Sequence, residues 1–191
     1  SGRVWIDGKE MAIRSVADAI AAGMALVPED RKLQGLILNM NVAKNTSLAS
    51  LDTLTSFGFI RKKEEAALSA SFIRKMNTRV PDATMEVEKL SGGNQQKVVL
   101  SKWLAVKTRI LLLDEPTRGI DVGAKAEMVA LIAQLKQEGM GILLVSSELP
   151  EILALSDRIA VMAGSRLTAL FPREGTTEEM IMKAALVQHN S

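Results

Sequence analysis

The feature that most constrains this chain is an alternation between Ile110 and Val145. A continuous apolar run, Ile110–Leu113, ends in two adjacent carboxylates, Asp114 and Glu115. An amphipathic segment begins after Gly123, with Ala124, Met128, Leu131, Ile132 and Leu135 on one face, and stops at Gly139. A second apolar run, Ile142–Val145, follows it. Unbroken apolar strands separated by a helix are expected of parallel strands covered on both faces. The expected fold class is therefore α/β.

The flanking segments extend this pattern. Val4 and Ile6 alternate with Trp5 and Asp7, and Asp7-Gly8 is a turn signal. A helix is predicted over Val16–Ala22, ended by Gly23, and then a buried strand over Ala25–Val27. From Lys32 to Lys89 the pattern is helical, with Leu68, Phe72, Ile73 and Met76 forming one apolar stripe before Pro81-Asp82 breaks the chain. Beyond Val145 the sequence predicts a short helix from Glu148, a hairpin over Arg158–Phe171 turning at Ala163-Gly164, and a last helix over Thr177–Leu186.

Composition excludes several classes. With 47% hydrophobic residues the chain can bury a core. Its charge, 24 − 22 = +2, is mild and interspersed, so no nucleic-acid partner is expected. The one basic run, Arg61-Lys62-Lys63, reads as a solvated helix start. There are no cysteines, hence no disulfide and no thiolate metal site. No window approaches the roughly 20 apolar residues of a membrane span, so any membrane association is expected through a partner. The ten methionines are expected to fill the core, Trp103 is expected to pack against it, and the lone His189 reads as a tail residue.

Two motifs carry chemistry. A strand ending in Asp114-Glu115 suits Mg²⁺, which prefers hard oxygen ligands; Asp114 can hold the ion and Glu115 can polarise a water. In Leu90–Lys97, LSGGNQQK, Ser91 is a good N-cap, while Gly92 and Gly93 leave N–H groups open at a positive helix end, which suits phosphate. Each motif alone also reads plainly, as an acidic turn or a capped helix. Their combination is specific: 23 positions separate Ser91 from Asp114, and DEPTRGID, with Gly119-Ile120-Asp121, follows.

That combination resembles the ABC ATPase family, along essentially the whole chain. The resemblance implies a P-loop NTPase-like nucleotide-binding core, over residues 1–31 and 107–191, with an inserted helical subdomain over 32–106. It implies that Ser91, Gly92, Gly93 and Asn94 contact the γ-phosphate of ATP held by an opposing domain. Asp114 and Glu115 match the Walker B aspartate and catalytic glutamate, and Asp121 matches the D-loop aspartate. ATP, Mg²⁺ and a transmembrane permease bound to the helical subdomain are implied as well. More closely, LSGGNQQK, VPEDRKLQGL (Val27–Leu36) and TTEEMIMKAAL resemble the second half of the double-domain ATPases of monosaccharide importers. This implies a second ABC domain in the same polypeptide, a periplasmic sugar-binding protein as indirect partner, and a peripheral place on the cytoplasmic face of the inner membrane.

The sequence departs from the family pattern in three places. No GxxxxGK[ST] loop occurs; in the family it lies upstream, so Ser1 is expected to be the edge of a piece of a longer chain, which is expected to stop near Ser191. The Q-loop glutamine is replaced by Glu29, which adds negative charge beside Asp114 and Glu115. The switch histidine is replaced by Ser147, which cannot shuttle a proton as imidazole does and can equally be the N-cap of the helix from Glu148. These departures suggest the weaker catalytic half of an asymmetric pair, inactive alone. The alternatives are an inert regulatory half and a non-transport ABC ATPase; against the latter, only 61 positions separate Glu29 from Leu90, too few for long coiled-coil insertions.

Overall fold

The structure is a computed structural model and describes residues 2–186. The chain forms two compact units, one up to Val145 and one from Ser146 on. In the first, β1 (Val4–Ile6) and β2 (Lys9–Met11) form an antiparallel hairpin. Asp7 and Gly8 turn it at φ 52° and 73°, the pair of positive values a two-residue turn of this twist needs. Helix α1 (Val16–Ala21) starts at Ser15, whose hydroxyl accepts from the Asp18 N–H at 3.1 Å. Gly23, at φ 80°, ends it and leads into β3 (Met24–Val27).

A helical stretch follows. Asp30 caps a π-helical turn, Arg31–Gly35, accepting from the Lys32 and Leu33 N–H groups at 3.0 Å. Asn41 caps α2 (Val42–Ser47), and the fully buried Asn45 ties the preceding loop to it through the backbone of Ile37, Met40 and Asn41. After α3 (Leu51–Leu54) comes a hairpin of two-residue strands, β4 (Thr55–Ser56) and β5 (Phe59–Ile60). The helical reading of this region did not foresee it. Its turn places Phe57 at φ 50°, a conformation bulky residues rarely adopt. Helix α4 (Lys62–Lys75) begins at the exposed Arg61-Lys62-Lys63, as expected, and α5 (Gly92–Leu104) buries Val98, Val99 and Leu100.

Strand β6 (Ile110–Asp114) lies between β3 and β7 (Gly141–Val145) in a parallel sheet. Helix α6 (Val122–Gln137) connects β6 to β7 and buries Met128, Leu131, Ile132 and Leu135, as its periodicity predicts. One face of the sheet is closed: Val27, Leu111 and Leu113 are at most 1% exposed. The other corrects the expectation of strands covered on both faces. Leu26, Leu112 and Leu143 share a row, and Leu26, Leu143 and Val145 are 49%, 59% and 53% exposed. An apolar run specifies two apolar faces; it does not specify what lies over the second.

The second unit holds α7 (Leu149–Leu155), the hairpin β8 (Arg158–Ala163) with β9 (Arg166–Pro172), and α8 (Glu178–Ala185). The hairpin turns at Gly164-Ser165, φ 54° and 60°, one residue later than expected. Ile181 and Ala184 of α8 pack on Ile159 and Val161. Met76 and Met128 fill core positions as expected, but Met162, Met180 and Met182 are exposed. Trp103 is partly buried, with Lys102 Nζ 5.0 Å from its ring centroid. His189 lies outside the described residues. Among the described residues no helix is long and apolar enough to cross a membrane.

Candidate functional site

The start of α5 sits against the segment between β6 and α6, and glycines make the approach possible. A Cβ on Gly93 would lie 2.5 Å from the Cβ of Ala124, and one on Gly92 would lie 3.0 Å from the Gly119 carbonyl oxygen and 2.6 Å from Arg31 Nη2. Ser91 takes the N-cap position, but its side chain does not cap the helix. This corrects the expected capping role. Asn94, three residues on, competes for the hydroxyl: its Nδ2 donates to Ser91 Oγ at 3.0 Å, while its Oδ1 accepts from the Arg79 N–H at 2.8 Å. The first-turn N–H groups of α5 therefore lack a side-chain cap at the positive helix end.

Around this turn lies a polar cleft of about 180 Å³ bordered by Arg79, Ser91, Asn94, Lys97, Asp121 and Glu127. Asp121 is the N-cap of α6, accepting from the Ala124 N–H at 2.9 Å. Lys97, almost wholly buried, donates to Glu127 Oε2 at 2.6 Å and to the Asn77 carbonyl at 3.0 Å, and Arg79 donates to Glu127 Oε1 at 2.6 Å. The Lys97 hydrogen bond first, then its charge, holds the Glu127 carboxyl below the usual carboxylate range.

Arg31 joins the parts. Its Nη1 donates to the Arg118 carbonyl at 2.8 Å, its Nη2 to the Gly119 carbonyl at 3.0 Å, and its Nε reaches Gln95 Oε1 at 3.4 Å. Burial lowers the Arg31 pKa, with the neighbouring Asp30 opposing. Glu29 forms an ion pair with Arg118, so its charge is met by a cation.

Asp114 ends β6, partly buried, opposite Val145. Glu115 leaves the strand at φ 44°, left-handed backbone that costs a non-glycine residue about 1–2 kcal/mol. Its N–H donates to the Val145 carbonyl at 2.8 Å, and its carbonyl accepts from the Arg118 N–H at 3.0 Å. Among the described residues no cluster of three or more His, Cys, Asp or Glu side chains could hold a metal ion by itself. One or two carboxylates at a strand end fit Mg²⁺ in the mode that leaves most ligand positions to water and phosphate. Ser147 belongs to the second unit, where it is exposed and is not the cap of α7. Glu148 takes that position, and the Glu148 N–H donates to Ser146 Oγ at 3.0 Å.

The structure thus gathers Ser91, Gly92, Gly93, Asn94 and Asp121, and links Glu29 and Glu115 to them through Arg118 and Arg31. Sequence reasoning did not single out Arg31, Arg79, Arg118 or the Lys97–Glu127 pair. The only sequence signal for Arg31 was its place two residues after Glu29 in VPEDRK.

Comparison with known proteins bears on the family and the fold. A family model for ABC transporters matches residues 1–118. A ribose import ATP-binding protein of Rhodopirellula baltica is 48% identical over 191 residues, covering all of this chain and 37% of the relative. A xylose import ATP-binding protein of Geobacillus kaustophilus is 50% identical over 184 residues, covering 96% of this chain and 36% of the relative. The chain therefore spans little more than a third of the length of these relatives. Among solved structures, a nucleotide-free ATP-binding cassette from an ABC transporter superposes with TM-score 0.76 at 21% identity, over 96% of this chain and 73% of that one. A dimeric cassette in a post-hydrolysis state bound to ADP and Pi gives 0.74 at 19%, over 92% and 75%. The fold is the P-loop NTPase-like ATP-binding cassette expected from the sequence. The chain belongs to the ABC transporter family, and within it is similar, along its whole length, to the ATP-binding proteins of ribose and xylose import.

Proposed function

We propose that this chain is the second nucleotide-binding domain of a monosaccharide importer's ATPase, and that its main task is to complete a nucleotide site held by an opposing domain. The observation that carries this reading is the start of α5: two glycines, no side-chain cap, and N–H groups at a positive helix end beside Ser91 and Asn94. Such an end binds the terminal phosphate of a nucleotide presented from outside. Residues 32–106 act as the helical subdomain that meets a transmembrane permease, and residues 1–31 with 107–191 as the core. The protein works at the cytoplasmic face of the membrane, with a periplasmic sugar-binding protein as indirect partner.

ATP and Mg²⁺ are the cofactors of this reading. Asp114 holds the Mg²⁺ shell, which neutralises phosphate charge when bound, and Glu115 orients the attacking water. Glu29 at the Q-loop position and Ser147 at the switch position support a weaker site on this side of the pair.

The test is made in the full-length protein. Ser91→Arg, which fills the phosphate-facing turn, abolishes most ATP hydrolysis, whereas Glu115→Gln costs much less than the same change at the equivalent glutamate of the other half. Equal losses from the two glutamate variants contradict the asymmetry. Unchanged hydrolysis in Ser91→Arg contradicts the reading itself.

A further inference from the structure

We infer that Arg31 is a positioning residue that holds the phosphate-facing turn of α5 and the segment 118–121 as one rigid unit; the inference rests on the function proposed above. The Arg31 side chain spans three pieces of chain far apart in sequence. Two of its nitrogens donate to consecutive carbonyls, those of Arg118 and Gly119, at 2.8 and 3.0 Å, and the third reaches Gln95 Oε1 at 3.4 Å. A planar guanidinium can address two successive carbonyls at once; an ammonium group addresses one point.

The turn that carries Arg31 is itself fixed to α5. Gly35 lies so close that a Cβ there would be 3.0 Å from Val99 Cγ2, and the Gly35 carbonyl accepts from Lys102 Nζ at 2.6 Å. Gln95, Val99 and Lys102 thus present one face of α5 to the turn Arg31–Gly35. Asp30 caps the same turn, and Glu29 next to it pairs with Arg118, whose carbonyl Arg31 holds. The residue at the Q-loop position is in this way tied to both phosphate-side segments through one side chain.

Gly92 supplies a second, independent observation. A Cβ there would come within 2.6 Å of Arg31 Nη2. The glycine leaves room for the guanidinium as well as for a phosphate. An alanine at position 92 therefore displaces the fork, and its effect overlaps with that of losing Arg31.

The test uses steady-state ATP hydrolysis by the full-length protein, with thermal midpoints measured alongside. Arg31→Ala is expected to raise the ATP concentration for half-maximal rate by about tenfold, the scale of one lost charged hydrogen bond, with kcat changed much less. Arg31→Lys is expected to recover the thermal midpoint but not the ATP dependence. The inference is overturned if Arg31→Lys restores the ATP dependence, or if Arg31→Ala lowers only the thermal midpoint and kcat. Ser91→Arg separates the failures. If it impairs hydrolysis while Arg31→Ala leaves the ATP dependence unchanged, only this inference falls; if neither has an effect, the proposed function falls with it.

Discussion

Replacing Gly93 by alanine tests the closest approach in the site. The added methyl carbon would lie 2.5 Å from the Cβ of Ala124, whereas two carbon atoms rest at about 3.5–4.0 Å. Neither atom can rotate away, because each is attached directly to a helix backbone. The starts of α5 and α6 must separate by about an ångström, with a packing cost of about 1–3 kcal/mol. With a mid-range packing cost of about 2 kcal/mol, less the about 0.5–1 kcal/mol that alanine recovers in helix propensity over glycine, the expected net loss is about 1–1.5 kcal/mol. For a chain of this size that lowers the thermal midpoint by about 2–6 °C. Calorimetric melting of the purified protein measures it, and Ala124→Gly provides the control. Removing the facing methyl in the double variant should recover most of the loss, less the glycine penalty in α6. A Gly93→Ala variant as stable as the parent, or a double variant in which the two losses simply add, refutes the steric argument.

Other consequences follow from the same structure. Glu115→Gly relieves backbone held at φ 44°, a conformation that costs a non-glycine residue about 1–2 kcal/mol, while removing the carboxylate assigned to the water, so ATPase activity should fall far more than the thermal midpoint. The folded-state pKa of Glu127 is lowered, chiefly by its hydrogen bond from Lys97. The unfolded chain therefore takes up this proton first as pH falls. The stabilisation is present above about pH 4.5 and is lost as pH drops through the lower folded value; Glu127→Gln should be less stable at neutral pH and lack this acid limb. Burial lowers the Lys102 pKa below the ordinary lysine value of 10.5, so over the window between that lowered value and 10.5 the unfolded state binds more protons and stability rises with pH. Lys102→Met should flatten that rise in alkaline unfolding curves.

What the sequence revealed was local. Asp7-Gly8, Gly23 and Gly139 mark turns because each allows positive φ where its neighbours do not, and α6 declares itself through five apolar residues at helical spacing. Ser91–Asn94 and Asp114-Glu115 are legible because their chemistry lies in contiguous residues. The misreadings share a physical cause, competition for a group that two neighbours can use. Ser91 looks like a cap until Asn94 takes its hydroxyl, and Ser147 looks like one until Glu148 occupies the position. The partners of Arg31 lie 64 to 88 positions away, and Glu127 lies 30 positions from Lys97; no local pattern encodes such pairs. Nor does an apolar run say what lies over the second face of its strand, as the exposed Leu26 and Leu143 demonstrate.

In the proposed function the Ser91–Asn94 turn faces a nucleotide held by an opposing domain. The most direct test of this is thiol protection at one site. This chain contains no cysteine, so in a full-length protein freed of any other reactive cysteine, Ser91→Cys places a single thiol at an exposed position of the turn. The modification rate with a maleimide is then compared in the absence and presence of ATP under conditions that prevent hydrolysis. ATP is expected to slow labelling by about tenfold or more, as when a bound ligand excludes solvent from the turn. Equal rates with and without ATP would contradict it.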